Sequence, residues 1–201
     1  MCFFFAIVFT LCVPFAMALD WLRSLSDARW RRRAVEALNA AGIGLGNIEM
    51  EQRAALGFNW NHHKFRLFKE IRWQAYPLIH LEVAGNLDGS FCVLPADVRA
   101  QSVMNTPIWA KNILTGDEKF DADFTICSGN VDFVSAYFAD ADNRRNVRAF
   151  FELGFHALEL KNGKLDVAWI ANSSTWSSDV GDIDMIAVIA NLSSLVAKLR
   201  S

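Results

Sequence analysis

Cysteine is scarce in this chain of 201 residues, and its four cysteines are far apart. Cys2 and Cys12 lie in an apolar N-terminal run, while Cys92 and Cys127 stand in separate strand-like stretches. No C-x-x-C pair occurs, so the spacing typical of zinc ribbons, thioredoxin-like redox sites and disulfide frameworks is missing. We interpret all four as small apolar residues. A Cys92–Cys127 disulfide is compatible with an extracytoplasmic domain, although nothing in the local sequence supports it.

The signatures of the common catalytic classes are missing as well. The chain has no G-x-S-x-G, no P-loop and no H-E-x-x-H. An H-x-E begins at His80, but the P-C-x-x-C that zinc deaminases also need does not follow. The glycines of residues 42–46 follow a helix-like segment rather than a strand, so they do not fit a dinucleotide loop. The sequence therefore predicts no cofactor, no metal and no assigned catalytic residue.

A strong net charge of either sign is also lacking, since 20 Lys and Arg balance 22 Asp and Glu. That balance does not indicate a nucleic-acid partner. The distribution is uneven: residues 1–80 hold ten basic and six acidic residues, whereas residues 81–201 hold ten and sixteen. The N-terminal part is basic and the rest is acidic.

What the chain does have is a long uncharged run near its start. Cys2–Leu19 is eighteen residues without a charge, at the short end of what spans a bilayer as a helix. A signal peptide requires a positively charged residue before its apolar run, but no Lys or Arg precedes this one. Several arginines follow it instead. This favours a single-pass anchor over residues 1–20 in the cell membrane, with the C-terminal part in the cytoplasm. The alternative is a signal peptide cleaved after Ala18, which makes the protein periplasmic or secreted, and Pro14 counts against a straight span.

Residues 21–46 are predicted to form a juxtamembrane helix and a linker. Ser26–Ala41 carries a narrow apolar stripe and is followed by Gly42, which is typical of a helix end. Basic and aromatic residues are interleaved over Phe58–Trp73, where no single period fits well. Such aromatics mostly serve packing, but close to an anchor they also suit a surface that contacts anionic lipid headgroups. The residues predicted to contact the membrane surface are Trp21, Arg31, Arg32, Arg33, Lys64, Arg66, Lys69 and Arg72.

Residues 47–201 are predicted to form one α+β domain, an antiparallel sheet built from hairpins and covered by helices on one face. One hairpin is expected over Ile79–Pro95 around Asp88-Gly89, and another over Phe155–Ile170 around Asn162-Gly163, because both dipeptides suit type I′ turns. The helical spacing of apolar residues predicts helices over residues 131–139, 143–153 and 184–200.

The stretch GDEKFDADFTICSGN carries four carboxylates within eight residues and asks for an explanation. A period of two over Phe120–Cys127 predicts a strand on which Asp121 and Asp123 share a face, about 7 Å apart. That spacing is compatible with a glycosidase-like acid pair, although such pairs normally come from different elements. We interpret these acids as the solvated side of the strand. In an enzyme, the candidate catalytic residues would be His80, Glu82, Asp121 and Asp123.

The same region resembles a known family. The block TGDEKFDADFTICSGNVDFVSAYFADADNRRNVRAFFELGFHALELKNGKLDVAW is similar to the C-terminal part of an uncharacterised bacterial family of membrane-anchored proteins. That family has a G/E-D-x-x-F-D/E-x-x-F strand, a helix, an R-x-x-L-x-x-L helix and a strand pair around a D/N-G turn. The matching residues here are Asp117, Phe120, Asp121, Phe124, Asn130, Phe133, Phe151, Leu153, Gly154, Asn162 and Gly163. The resemblance covers about a quarter of the chain, implies a membrane anchor and assigns no catalytic residue.

Together these patterns predict a membrane-tethered, non-enzymatic cytoplasmic domain. Its expected partners are the membrane, through the N-terminal helix, and either anionic lipid headgroups or a protein. One alternative is a hydrolase-like enzyme that uses the polar face of the sheet. Another is an exported periplasmic binding module, which follows if the leader is cleaved.

Overall fold

Nine strands form one antiparallel sheet in the computed structural model, which describes residues 24–44, 48–50, 55–70, 78–85, 87–96, 111–170 and 183–199. The strands are β1 (Ile48–Met50), β2 (Ala55–Trp60), β3 (His63–Glu70), β4 (Leu78–Ala84), β5 (Phe91–Pro95), β6 (Lys111–Ile113), β7 (Phe124–Ser128), β8 (Ala157–Lys161) and β9 (Lys164–Ile170). The helices are α1 (residues 24–40), α2 (Glu118–Asp123), α3 (Val131–Ala139), α4 (Ala141–Glu152) and α5 (Met185–Leu199).

The combination of helices with an antiparallel sheet confirms the predicted α+β class at that level. The predicted N-terminal anchor lies outside the described residues. Within the described ranges, every helix is too short or too polar to cross a bilayer.

The strand order is β1-β2-β3-β4-β9-β8-β5-β7-β6. The β8–β9 hairpin therefore lies between β4 and β5, and the predicted Ile79–Pro95 hairpin is wrong. Alternation fixes which face a side chain takes, but it does not choose the neighbouring strand. The chain leaving β4 instead bonds to the turn of the inserted hairpin, where the amides of Gly85 and Leu87 donate to the carbonyl of Gly163 at 3.0 and 3.4 Å.

The second predicted hairpin is confirmed. Lys161 pairs with Lys164, and the two residues between them take positive φ, 53° at Asn162 and 74° at Gly163. These are the angles of a type I′ turn, whose twist matches that of the flanking strands.

A further hairpin, which the sequence pattern did not predict, joins β2 to β3. Its turn is Asn61-His62, with φ of 44° and 66°. Asn and His are the residues, apart from glycine, that are enriched in this left-handed region. The turn signal was therefore present, but it lay inside an aromatic run without a clear period.

The predicted strand over Phe120–Cys127 is wrong in its first half, because Glu118–Asp123 is the helix α2 and the strand begins only at Phe124. Asp117 caps the helix, since its side chain accepts a hydrogen bond from the Phe120 amide at 3.0 Å. Asp at the N-cap followed by Glu is a standard helix start. This capping outweighs the short alternation that follows.

The two faces of the sheet differ sharply. One face, which we call the core face, carries Phe65, Leu67, Leu81 and Val167 and packs into one buried cluster with residues of α1, α3, α4 and α5. The alternate positions form what we call the second face. On that face lies a smaller buried cluster that is surrounded by charged side chains. The residues of this cluster are Leu78, Cys92, Leu94, Ala157 and Ala168.

The other predicted helices agree with the structure. Asn130 caps α3 through a hydrogen bond from the Phe133 amide at 3.1 Å. Asp140 caps α4, so this helix begins at Ala141, two residues before the predicted start. The C-terminal helix α5 begins after Asp184, whose carboxylate accepts from the Ala187 amide at 3.0 Å. These caps satisfy amides that have no partner within the helix.

Candidate functional site

A groove of about 440 Å³ opens where β5 begins and where β7 and β8 end. Its walls are the segment 87–90 and the Asn162-Gly163 turn, and its floor includes strand residues from β5, β7 and β8. Ser128 links the end of β7 to the wall segment 87–90, because its hydroxyl donates to the carbonyl of Ser90. The same hydroxyl accepts from the Asn130 amide at 2.9 Å. The side chains that give the groove its chemistry are Asp88, Ser90, Cys92, Cys127, Ser128, Glu159 and Lys161.

The two cysteines of the groove are partners across adjacent strands, Cys92 on β5 and Cys127 on β7. Cys92 is buried and Cys127 is half-buried. Burial raises the pKa of the Cys127 thiol, so little of it is thiolate near neutral pH. Because no histidine lines the described groove, it does not have the make-up of a cysteine-nucleophile active site.

A row of acidic side chains crosses the second face beside the groove. Glu82, Asp166 and Glu159 are register partners on β4, β9 and β8, and Arg66 on β3 faces Glu82. Lys164 bonds Glu82 at 2.8 Å. Like charges placed opposite each other across strands are destabilising. Arg66 and Lys164 therefore compensate part of the repulsion within the row of acidic side chains.

His80 lies next to this row and is 3% exposed. Its Nδ1 lies 2.8 Å from Oδ2 of Asp166, and its Nε2 lies 3.2 Å from Oε2 of Glu70. Its ring stacks on Phe68, with centroids 4.7 Å apart. The imidazole is thus held between two carboxylates, and neither nitrogen faces a nucleophile such as Ser, Thr or Cys among these contacts.

The carboxyl group of Asp166 has a raised pKa, chiefly because burial disfavours its charged form. The hydrogen bond and the charge of His80 oppose this shift, whereas Glu82 and Glu70 add to it. Its Oδ1 is buried and has no hydrogen-bond partner within the described part of the chain. The His80–Asp166 pair is therefore an internal polar contact under strong desolvation.

The four candidate catalytic residues do not come together. His80 and Glu82 lie on the second face of β4, whereas Asp121 and Asp123 lie on α2. Asp121 is occupied by its own turn, accepting from the Thr115 amide at 2.9 Å, the Thr115 hydroxyl at 2.8 Å and the Gly116 amide at 3.1 Å. Asp123 pairs with Arg148. These contacts identify three acids of the GDEKFDADFTICSGN stretch by role: Asp117 is a helix cap, Asp121 a turn residue and Asp123 an ion-pair residue.

The residues predicted to contact the membrane surface lie on both sides of the sheet. Lys64 and Arg66 belong to the second face, and Arg66 lies over the ring of Phe68 at 4.8 Å. Lys69 points the other way, where its side chain is 5% exposed and lies 3.9 Å from Asp27 of α1. Burial lowers the pKa of Lys69, and Asp27 opposes that shift. Arg31, Arg32 and Arg33 are on α1, while Trp21 and Arg72 lie outside the described residues.

Sequence reasoning missed the groove and the acidic row. Both arise from strands that are distant in the chain, and no local pattern indicates that Glu159 lies beside Cys92. The available signals were the Asp88-Gly89 and Asn162-Gly163 dipeptides, which form the groove walls. Among the described residues, no group of three or more His, Cys, Asp and Glu side chains is arranged to hold a metal ion.

No protein-family model matches the chain, and no curated protein matches it. The resemblance noted from the sequence therefore stays a prediction. One solved structure is similar, the crystal structure of the mycobacterial trehalose monomycolate transport factor A, TtfA, with 11% identity and a TM-score of 0.49. The match covers 85% of this chain and 94% of that chain. Likeness at this level carries no argument about function.

Gly89 shapes one wall of the groove. It has a φ of +89°, and a Cβ there would lie 2.5 Å from Cε1 of Phe133. We expect Gly89→Ala to lower the free energy of unfolding by about 1–3 kcal/mol, from backbone strain and the clash together. The matched control is Gly116→Ala, which has φ of +82° and nothing within 4 Å of its Cβ. Urea denaturation should show a larger loss at Gly89, and equal losses would contradict the clash.

Proposed function

We propose that the chain is a membrane-tethered, non-enzymatic binding module facing the cytoplasm, and that it binds a protein segment in the groove between β5, β7 and β8. The observation that supports the binding function is the groove itself, which is open, mixed in polarity and walled by two turns. A groove of this size suits a few side chains of a partner. The lining combines acidic and basic groups without a set suited to nucleophilic catalysis.

Charge favours a protein segment over anionic lipid headgroups as the ligand of this groove. Asp88 and Glu159 line it against the single cation Lys161 among the described lining residues. An anionic headgroup would meet net repulsion there, whereas a segment that carries Lys or Arg would be attracted. The basic residues on α1 are left as the surface for lipid contact near the anchor.

The tether is tested on the full chain. After carbonate extraction of cell membranes we expect the chain to remain in the pellet, with Edman sequencing reading from Met1. An uncharged run of eighteen residues is sufficient for an anchor of this kind. A mature chain that starts at Leu19 and appears in the periplasmic or secreted fraction would reject the cytoplasmic tether and favour the exported binding module.

The groove is tested by site-specific photocrosslinking in cells. A photoreactive residue at Lys161, in the groove, should give one discrete cross-linked protein, because a segment seated there lies within reach of that side chain. The matched control is Lys119, which is exposed on α2, and it should not give the same product. Glu159→Lys should weaken the product by reversing the charge of the groove. Equal cross-linking from both sites, or binding of the full chain only to anionic vesicles, would reject the protein-segment proposal.

A hydrolase-like enzyme is the second candidate, and one observation favours it. The 2.8 Å contact between His80 Nδ1 and Asp166 resembles the orienting contact of a catalytic dyad. The burial of His80 and the carboxylate of Glu70 beside Nε2 count against it. Hydrolysis of ester or phosphate substrates by the purified full chain, lost at least about 100-fold in His80→Gln, would establish this alternative. No turnover above that of the variant would reject it for those substrates.

A further inference from the structure

Cys92 and Cys127 occupy directly opposed positions on β5 and β7. Both belong to the second face, because Val93 and Ile126, their neighbours, lie in the cluster on the core face. Both also line the groove, so the groove is the side from which a small molecule approaches the pair. They lie 35 positions apart in the sequence, and only the strand pairing brings them together.

The hydrogen-bond pattern of the two strands gives the spacing of the pair. The Ala96 amide donates to the Asp123 carbonyl at 2.9 Å, which makes that position a hydrogen-bonded pair. Hydrogen-bonded and non-bonded pairs alternate, so Cys92 and Cys127, four positions along, form a hydrogen-bonded pair with Cα atoms about 5.5 Å apart. That separation lies within the range of about 4.4–6.8 Å that disulfides span.

The Cβ atoms are less favourably placed than the Cα atoms. Opposed residues at hydrogen-bonded positions have Cβ atoms near the upper end of about 4.5–5.5 Å, whereas a relaxed disulfide needs about 3.8 Å. A bond between the two sulfurs therefore pulls β5 and β7 together locally. Such a strained disulfide is more easily reduced than a structural one.

We propose that Cys92 and Cys127 form a reversible dithiol–disulfide site, oxidised by low-molecular-weight disulfides that enter through the groove. The oxidised form would bridge the groove floor from β5 to β7. This inference stands apart from the proposed binding function, since it needs only the strand register and access through the groove. A transient, easily reduced disulfide is the kind that redox-sensing proteins of reducing compartments use.

The chemistry balances without a metal or a further oxidant. The Cys127 thiolate attacks one sulfur of a disulfide RSSR, forms a mixed disulfide and releases RS⁻. The Cys92 thiolate then attacks the Cys127 sulfur, forms the internal disulfide and releases the second RS⁻. Two protein thiols lose two protons and two electrons, and RSSR is reduced to two thiols.

Accessibility sets the order of attack. Cys127 is half-buried and Cys92 is 3% exposed, so Cys127 meets the reagent first and Cys92 resolves the mixed disulfide. Burial raises the pKa of Cys127, which makes the first step slow at neutral pH. The oxidation rate should rise about tenfold per pH unit while the pH is below the pKa of the attacking thiol.

The test uses the full chain in detergent with Cys2→Ser and Cys12→Ser, which leaves only the two groove cysteines. The folded protein is incubated with glutathione disulfide, alkylated and digested without reduction. We expect a peptide pair joined through Cys92 and Cys127, a mass lower by two hydrogens, and complete reversal by dithiothreitol. Circular dichroism before and after oxidation verifies that the chain stays folded.

Two further variants keep the outcome decisive. Cys92→Ala, which removes the resolving thiol, should accumulate a stable glutathione adduct at Cys127. Cys127→Ser should react at least about tenfold more slowly, because the thiol left to react is buried. The proposal is overturned if the starting protein yields only adducts at Cys127, only cross-links between two chains, or a Cys92–Cys127 bond that forms solely in denaturant.

Discussion

Replacing Phe120 by alanine should lower the free energy of unfolding by about 3–5 kcal/mol, as expected for removing a fully buried aromatic ring. Phe120 is 1% exposed. Its ring centroid lies 4.8 Å from that of Phe124 and 5.8 Å from that of Phe138, and the guanidinium of Arg148 lies 5.8 Å from it. Removing the ring would leave a cavity and remove its contacts with these three side chains, and equilibrium denaturation in urea would measure the loss.

A second substitution on the same helix makes the test specific for the fold. In a strand that begins at Phe120, Ala122 would share the inward face of Phe120; in the helix α2 it is exposed. Ala122→Lys is therefore expected to change stability by no more than about 0.5 kcal/mol. A loss of several kcal/mol from Ala122→Lys would indicate a buried charge and would contradict the helix.

The faces of the strands were predictable, whereas their neighbours were not. Alternation correctly placed Leu81 on one side of β4 and Glu82 on the other. It could not show that β9 rather than β5 follows β4, because that choice depends on contacts about eighty residues apart. The Asn162-Gly163 turn was predictable because both turn residues need positive φ, a local property of the dipeptide. The Asp88-Gly89 dipeptide wrongly indicated a type I′ turn, because Gly89 takes positive φ but Asp88 does not.

The candidate site shows the same division. His80 and Glu82 were identified as candidate catalytic residues from the sequence of their own strand. Their partners Asp166 and Lys164 come from a hairpin inserted later in the chain. Cys92 and Cys127 were interpreted as isolated apolar residues for the same reason, since only the β5–β7 register brings them opposite each other. Groups of residues that only the strand order brings together cannot be predicted from local sequence patterns.

The dispersal of the candidate acids has a consequence for function. Asp121 and Asp123 are engaged in a turn and an ion pair on one helix, and His80 is enclosed on the opposite face of the sheet. An acid–base mechanism that joins these groups would need them within hydrogen-bond reach of one substrate. The geometry therefore gives more support to a binding groove than to a shared catalytic pocket.

His80→Leu should lower the free energy of unfolding by about 3–5 kcal/mol, because it leaves the carboxylate of Asp166 buried without its partner. Asp166→Asn should cost less, since the amide oxygen still accepts a hydrogen bond and the buried charge is gone. The double variant, His80→Leu with Asp166→Asn, should recover part of the loss of His80→Leu. Strict additivity of the two single effects in urea denaturation would show that the pair is not coupled.

The same pair gives a pH dependence with a definite sign. Burial raises the pKa of Asp166 above its ordinary value of 3.8, so the folded state binds this proton more readily than the unfolded state. The contribution of Asp166 to stability is then fully present below the unfolded pKa and is lost as pH rises through the raised folded pKa. The stability of the wild type relative to Asp166→Asn should therefore fall as the pH rises above 3.8 and through the raised folded pKa.

Asp117 provides the control of opposite sign. Its pKa is lowered, first by the hydrogen bond from the Phe120 amide and then by Arg144. Its contribution is present above its unfolded pKa and is lost as pH falls through the lowered folded pKa. Relative to Asp117→Asn, which retains a capping side chain, the wild type should therefore lose stability on acidification, in the region below pH 3.8. The stability differences of the wild type from Asp166→Asn and from Asp117→Asn should thus change in opposite directions with pH. If both change in the same direction, Asp166 is not desolvated. His80 would then be a group open to substrate rather than a buried partner of Asp166.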